Sequence, residues 1–171
     1  INLYRQLIEK IRNEIPEVAL TTDVIAGFPG ETEAEFLSTQ LFIQSMGFSG
    51  GHVFTYSPRP GTAAFKYPSP VPVKIAKDRN SILREVFNEA GWAYQDQFIG
   101  RKMPVLWESS YHDGNGCWQI SGLTDTYMRV YSTAKRDLWN QITPVCLESH
   151  HSQKQALVGL VENEPDENGS F

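Results

Sequence analysis

Leu3, Leu7, Ile8 and Ile11 recur at helical spacing along the first residues, and Pro16 closes the run. This pattern predicts a helix over 2–14. Residues 18–26, VALTTDVIA, are rich in β-branched side chains and apolar at both ends. Such a run predicts a strand covered on both faces, as in a parallel sheet. After the turn GFPGE, Thr32 and Glu35 form the T-x-x-E box that opens a helix near Glu33. Phe36, Ile43 and Met46 give that helix an apolar side, and Gly47 ends it. GHVFTY, residues 51–56, reads as a second strand. Strand, helix, strand at this spacing predicts a right-handed βαβ unit with parallel strands.

SPRPGT and the prolines at 68, 70 and 72 then interrupt regular structure. A long helix is predicted over 73–98, with Leu83, Phe87, Ala90, Tyr94 and Phe98 on its inner face. At Gly100 the period shifts to two. KMPVLWESSYH, CWQIS, TYMRVYS, QITPVCLES and QALVGLV read as five short strands, with Asp113-Gly114-Asn115-Gly116 as a hairpin turn. Five such strands predict a small barrel of the OB type, with a domain boundary near 97–100. No internal repeat is visible.

Charge changes this picture little. Residues 1–97 carry 9 Lys/Arg against 11 Asp/Glu, residues 98–161 carry 6 against 5, and residues 162–171 carry none against 4. Most of the net charge of -5 is therefore a terminal tail expected to be disordered. The apolar and charged fractions are those of a soluble globular protein. No apolar run is long enough for a membrane span, and the charged first helix is not a signal peptide, which predicts a cytoplasmic protein. The first residue is Ile rather than Met, and the chain is expected to be a piece of something longer. Cys117 and Cys146 suit neither zinc nor an iron–sulfur cluster by spacing. They are expected to be half-buried free thiols, with a disulfide as the alternative. His52, His112, His150 and His151 have no metal-ligand spacing and are expected at the surface or in packing roles.

The candidate chemistry sits at two strand ends and on the barrel. Gly27 and Gly30 permit backbone conformations that a side chain forbids, so GFPGE is either a ligand-contacting loop or a tight structural turn. No Gly-Lys-Ser/Thr follows, which excludes a Walker-type phosphate cradle. Asp23, inside the first strand run, is expected to be buried and to need a partner or a catalytic use. Arg59 stands between two prolines at the end of the second strand, on the same side of the sheet as GFPGE. A restrained Arg suits a carboxylate or phosphate, or is simply exposed in a rigid turn. The barrel interleaves Trp107, Trp118, Tyr127 and Tyr131 with Arg101, Lys102, Arg129, Lys135 and Arg136. That mixture fits RNA binding by stacking and phosphate contact, or a core of aromatics with a solvated basic rim.

D-V-I-A-G-F-P-G-E-T at 23–32, followed by H-V-F-T-Y-S-P-R-P-G-T at 52–62, resembles the radical S-adenosylmethionine methylthiotransferases. The resemblance covers roughly residues 1–162. It implies an α/β fold: the last part of a radical-SAM, TIM-like barrel over 1–97 with a long connecting helix, then an all-β, OB-like TRAM barrel over 98–162 that binds RNA. An acidic disordered tail is expected at 163–171. GFSGGHVFTYSPRPGT and GLTDTYMRV look most like the branch that methylthiolates threonylcarbamoyladenosine at tRNA position 37. The alternatives are the isopentenyladenosine-37 branch and a non-catalytic RNA-binding module. By resemblance, Gly27, Phe28 and Gly30 line the adenosine side of S-adenosylmethionine, with Phe54, Tyr56 and Ser57 at the next strand end. Arg59, Arg101, Lys102, Tyr127, Arg129, Lys135 and Arg136 are expected on the RNA side, Arg59 facing either cofactor or tRNA.

The family's cofactors are S-adenosylmethionine and two 4Fe–4S clusters. The C-x-x-x-C-x-x-C motif that holds one of them is absent from this chain. The chain alone is accordingly expected to be inactive. Its two parallel strands lack the neighbours of a full barrel, so self-association through unpaired strand edges is expected.

Overall fold

The computed structural model describes residues 1–161. The helical spacing at the start of the chain becomes α1, Asn2–Glu14. β1 spans Thr21–Ala26, beginning at Thr21 rather than Val18. Then comes α2, Glu33–Met46, opened by the expected capping box and closed by Gly47 in the left-handed conformation. Thr32 Oγ1 accepts from the Glu35 N–H, while Glu35 Oε2 accepts the Thr32 N–H at 2.8 Å. The Thr32 N–H, and after it the Thr32 hydroxyl, hold the Glu35 carboxyl below the ordinary range. β2, Gly50–Thr55, runs parallel to β1, with Thr21 opposite Gly50 and Ala26 opposite Thr55. A 3-10 turn at Ala64–Lys66 precedes α3, Val73–Asp96.

The chain divides into two compact units between Tyr94 and Gln95. In the first, Ile8, Phe36, Ile43, Met46, Phe48, Leu83, Val86 and Phe87 form the core with Ala26. Each large apolar side chain buried there contributes about 1.5–3 kcal/mol. That outweighs intrinsic helix propensity, so the apolar faces decide where these helices lie.

All of this packing is on one side of the sheet. Along β1 and β2, Thr22, Val24, Ala26, Gly51 and Val53 turn inward, while Asp23, Ile25, His52 and Phe54 are exposed. Ile25 and Phe54, opposite each other in the register, are each about half exposed. The expectation of a strand covered on both faces is therefore corrected. The helices cover a single face, and the apolar residues of the other meet no layer among the described residues. Asp23 is likewise exposed rather than buried, and lies 3.2 Å from His52 Nδ1 across the register. The sheet has two strands.

The second unit alternates inward and outward residues with period two. β3 (Lys102–His112), β4 (Trp118–Thr124), β5 (Arg129–Ala134), β6 (Ile142–His150) and β7 (Leu157–Val161) close into a barrel in the order β3-β4-β5-β7-β6. β3 pairs with both β4 and β6, and β5 with β7 is the one parallel pair among the described barrel strands. Its interior holds Met103, Val105, Trp107, Ile120, Val130, Leu138, Val145, Leu147 and Leu157. Gly122 lets β4 approach β3, since a Cβ there would run into the Leu106 carbonyl. The acidic tail expected at 163–171, and residue 162 at the end of the expected barrel, lie outside the described residues.

Candidate functional site

GFPGE leaves the carboxyl end of β1 as a turn fixed from several sides. Gly27 has φ +76 and is buried. Its N–H donates to Glu31 Oε2 at 2.9 Å, and a Cβ there would overlap the Ala76 side chain of α3. Its amide and its missing side chain are thus both used within the chain, which is the structural-turn half of the reading. Gly30, at φ +85, has open space where a Cβ would stand, and its N–H donates to the Ser69 carbonyl at 2.8 Å.

A buried ion pair holds this turn to α3. Arg79, 6% exposed, donates through Nη1 to Glu31 Oε2 at 2.8 Å and to the Glu31 carbonyl at 3.0 Å. Its Nη2 reaches Glu33 Oε2 at 2.9 Å, and the guanidinium lies 5.1 Å from the centre of the Phe36 ring. Burial opposes the charge, but the hydrogen bonds to Glu33 and Glu31 and the two negative charges outweigh it, so the Arg79 pKa is raised. Sequence reasoning missed this pair. Its signal was a lone cation at a position in helical register with Ala76, Leu83 and Phe87.

The end of β2 lies beside the turn, as expected for parallel strands. The Tyr56 N–H donates to the Ala26 carbonyl at 2.9 Å. Phe28 packs edge-on against Tyr56 and Tyr67, with ring centres 5.3 and 5.9 Å apart. Tyr67 was not anticipated. Phe28, Phe54, Ser57 and Arg59 are exposed. The Arg59 carbonyl accepts from both the N–H and the hydroxyl of Thr62, which stiffens SPRPGT. The structure thus brings Gly27, Phe28, Gly30, Phe54, Tyr56 and Ser57 to one end of the sheet.

The Tyr56 hydroxyl is buried without a hydrogen-bond partner. An unsatisfied buried hydroxyl costs about 1–3 kcal/mol. Tyr56→Phe is therefore expected to raise the urea midpoint of this chain, and a lowered midpoint would show that the hydroxyl is bonded after all.

The barrel residues expected at RNA are spread out. Arg101 lies 4.9 Å from the centre of the Phe98 ring, and Lys102 opens β3 opposite Cys146. Tyr127, 81% exposed, lines a groove of about 390 Å3 with Pro104, Leu106, Glu108, Asp125 and Ile142. Arg129 donates to Glu108 Oε2 at 2.7 Å. Lys135 and Arg136 follow β5, Arg136 reaching Gln141 Oε1 at 3.3 Å. Trp107 is no surface aromatic: it is fully buried, and its Nε1 donates to Thr143 Oγ1 at 2.8 Å. Tyr131 is half-buried, with Lys154 Nζ 4.1 Å from its ring centre and the His151 ring at 5.0 Å.

Cys117 is exposed and Cys146 half-buried, and both are free thiols. No group of three His, Cys, Asp or Glu side chains among the described residues could hold a metal ion. No helix among them is long and apolar enough to cross a membrane.

No protein-family model matches the chain. Over 162 residues it is 32% identical to the tRNA-2-methylthio-N(6)-dimethylallyladenosine synthase of Ehrlichia chaffeensis, covering 94% of this chain and 36% of that protein. Over 164 residues it is 34% identical to the protein of the same name from Bacillus mycoides, covering 96% and 31%. Over 108 residues it is 41% identical to the one from Nocardioides sp., covering 60% and 22%. These names carry the dimethylallyl (isopentenyl) adenosine of the alternative branch. They do not support the threonylcarbamoyladenosine branch to which GFSGGHVFTYSPRPGT and GLTDTYMRV point. The chain spans about a third or less of the length of these curated relatives, and over nearly its whole length it is similar to part of proteins named as tRNA-2-methylthio-N(6)-dimethylallyladenosine synthases.

Proposed function

We propose that this chain is part of a tRNA methylthiotransferase that places a methylthio group on C2 of N6-dimethylallyladenosine at position 37 by radical S-adenosylmethionine chemistry. The observation that carries the reading is the identity of 32–34% along 94–96% of the chain to synthases so named. In this reading Phe28 and Phe54 offer exposed apolar rings, and Gly30 an open backbone approach, to the adenosine of the cofactor. Tyr56 and Tyr67 support Phe28 from the side, and Ser57 and Arg59 edge the site. Bound there, the cofactor would supply the radical; these residues bind and orient its adenosine.

The two iron–sulfur clusters of such an enzyme do not fit this chain. Its cysteines are two, and the described residues bring together no set of three ligands. Three thiolates from elsewhere in a longer protein would have to hold each cluster. The barrel serves the tRNA in the cytoplasm, and the open edges of β1 and β2 favour self-association of the chain on its own. The alternative reading is a non-catalytic RNA-binding module.

A chimaera separates the two. The matching segment of the Bacillus mycoides synthase is replaced by this chain, in a host lacking its own synthase, and tRNA nucleosides are measured. The enzyme reading expects 2-methylthio-N6-dimethylallyladenosine at a level near that given by the intact synthase. A folded, expressed chimaera that yields none would favour the module.

A further inference from the structure

We propose that the outer face of β4 and β5, with the loop joining β6 to β7, is the RNA-contacting face of the barrel, holding one unstacked base and its neighbouring phosphate. Tyr131 is the stacking surface, and Lys154 and His151 are the phosphate-side groups. This deepens the tRNA reading above and rests on it. The face is a groove of about 340 Å3 lined by Gln119, Tyr131, Thr133, Glu148 and His151, among others. Gln119 and Thr133 are opposite each other in the register and both exposed. They place an amide and a hydroxyl beside the ring, where base edges would be read.

Two independent observations converge on this face. The first is topological. In five-stranded OB-type barrels, oligonucleotides are held by the second and third strands and by the loop between the fourth and fifth. Here those strands are β4 and β5, and that loop, residues 151–156, carries His151 and Lys154. The second is the cluster itself: Lys154 Nζ lies 4.1 Å from the Tyr131 ring centre and the His151 ring packs at 5.0 Å. Lys154 is exposed on its loop. A cation–π contact in water is weaker than base stacking on the same ring, so the ammonium can leave the ring for a phosphate as a base takes its place.

The other barrel features fit RNA less well. The groove at Tyr127 is lined by the apolar Pro104, Leu106 and Ile142 and by the carboxylates of Glu108 and Asp125, which repel phosphate. Arg129 is held by Glu108. Glu148 also lines the Tyr131 groove; it is one carboxylate against two at Tyr127, and it suits the N–H edge of a base.

The test is fluorescence anisotropy of this chain with a labelled anticodon stem-loop RNA, over a salt series. Tyr131→Ala is expected to weaken binding about tenfold, while Tyr131→Phe, which keeps the ring, changes it little. Lys154→Ala is expected to weaken binding and to flatten the slope of log affinity against log salt by about 0.7, one phosphate on a single strand. Lys10→Ala, at an exposed position of α1 outside the barrel, serves as a control and is expected to stay within about twofold of wild type on the same scale. Lys154 is exposed, so its variant tests the face even where Tyr131→Ala fails to fold. Unchanged binding in Lys154→Ala and Tyr131→Ala would overturn this face and leave the tRNA reading standing. Absence of binding by the wild-type chain at low salt would overturn the tRNA reading itself.

Discussion

Replacing Arg79 with methionine is expected to destabilise residues 1–94 by about 3–5 kcal/mol, the cost of leaving one member of a buried ion pair uncompensated. Arg79 and Glu31 have side chains only 7% and 13% exposed. Removing the guanidinium strands the Glu31 carboxylate against the Gly27 N–H and the apolar wall of α3. The double variant Arg79→Met with Glu31→Gln should recover much of the loss. A glutamine oxygen can still accept from Gly27, and no buried charge remains. Urea denaturation followed by amide exchange in β1 and α2 measures both. A loss under about 1 kcal/mol for Arg79→Met would show that the pair is solvated and does not fix the turn.

Trp107→Ala should have the largest effect on the barrel, about 3–5 kcal/mol for emptying a fully buried aromatic site. Trp107 is fully buried between strands and also supplies the hydrogen bond to Thr143. A barrel of this size holds only a few kcal/mol in total, at about 0.05–0.15 kcal/mol per residue. The variant is therefore expected to lose its near-ultraviolet dichroism and its slow-exchanging barrel amides at room temperature. Trp107→Phe fills most of the volume and should remain folded with a lower melting temperature. An alanine variant as stable as wild type would place Trp107 at the surface, as the RNA-facing reading of that residue has it.

Local signals in the sequence were enough to place most elements. The Thr32–Glu35 box and Gly47 bound α2 because caps satisfy backbone groups without help from distant residues. The same holds for Asp113, whose carboxylate takes the Asn115 and Cys117 N–H groups and closes the β3–β4 turn. These bonds, the one from Asn115 foremost, hold its carboxyl below the ordinary range. Long-range features were harder to see. An apolar run such as VALTTDVIA does not say how many layers cover it, so Ile25 was read as buried when it is half exposed. Arg79 went unremarked because its partners lie 46 and 48 positions away. Trp107 could have been placed inside, since Met103, Val105 and Trp107 alternate with polar or outward residues. Composition alone left it open between a stacking surface and a core aromatic. The substrate branch followed from likeness in GFSGGHVFTYSPRPGT and GLTDTYMRV, not from a side chain placed against the group that distinguishes the two adenosines.

The most direct measurement is deletion of the gene that encodes this chain, with tRNA nucleosides analysed by liquid chromatography and mass spectrometry. The account predicts selective loss of 2-methylthio-N6-dimethylallyladenosine, accumulation of its unthiolated precursor, and restoration by the intact gene. Loss of the methylthio group from threonylcarbamoyladenosine alone, or no change in either nucleoside, would contradict it.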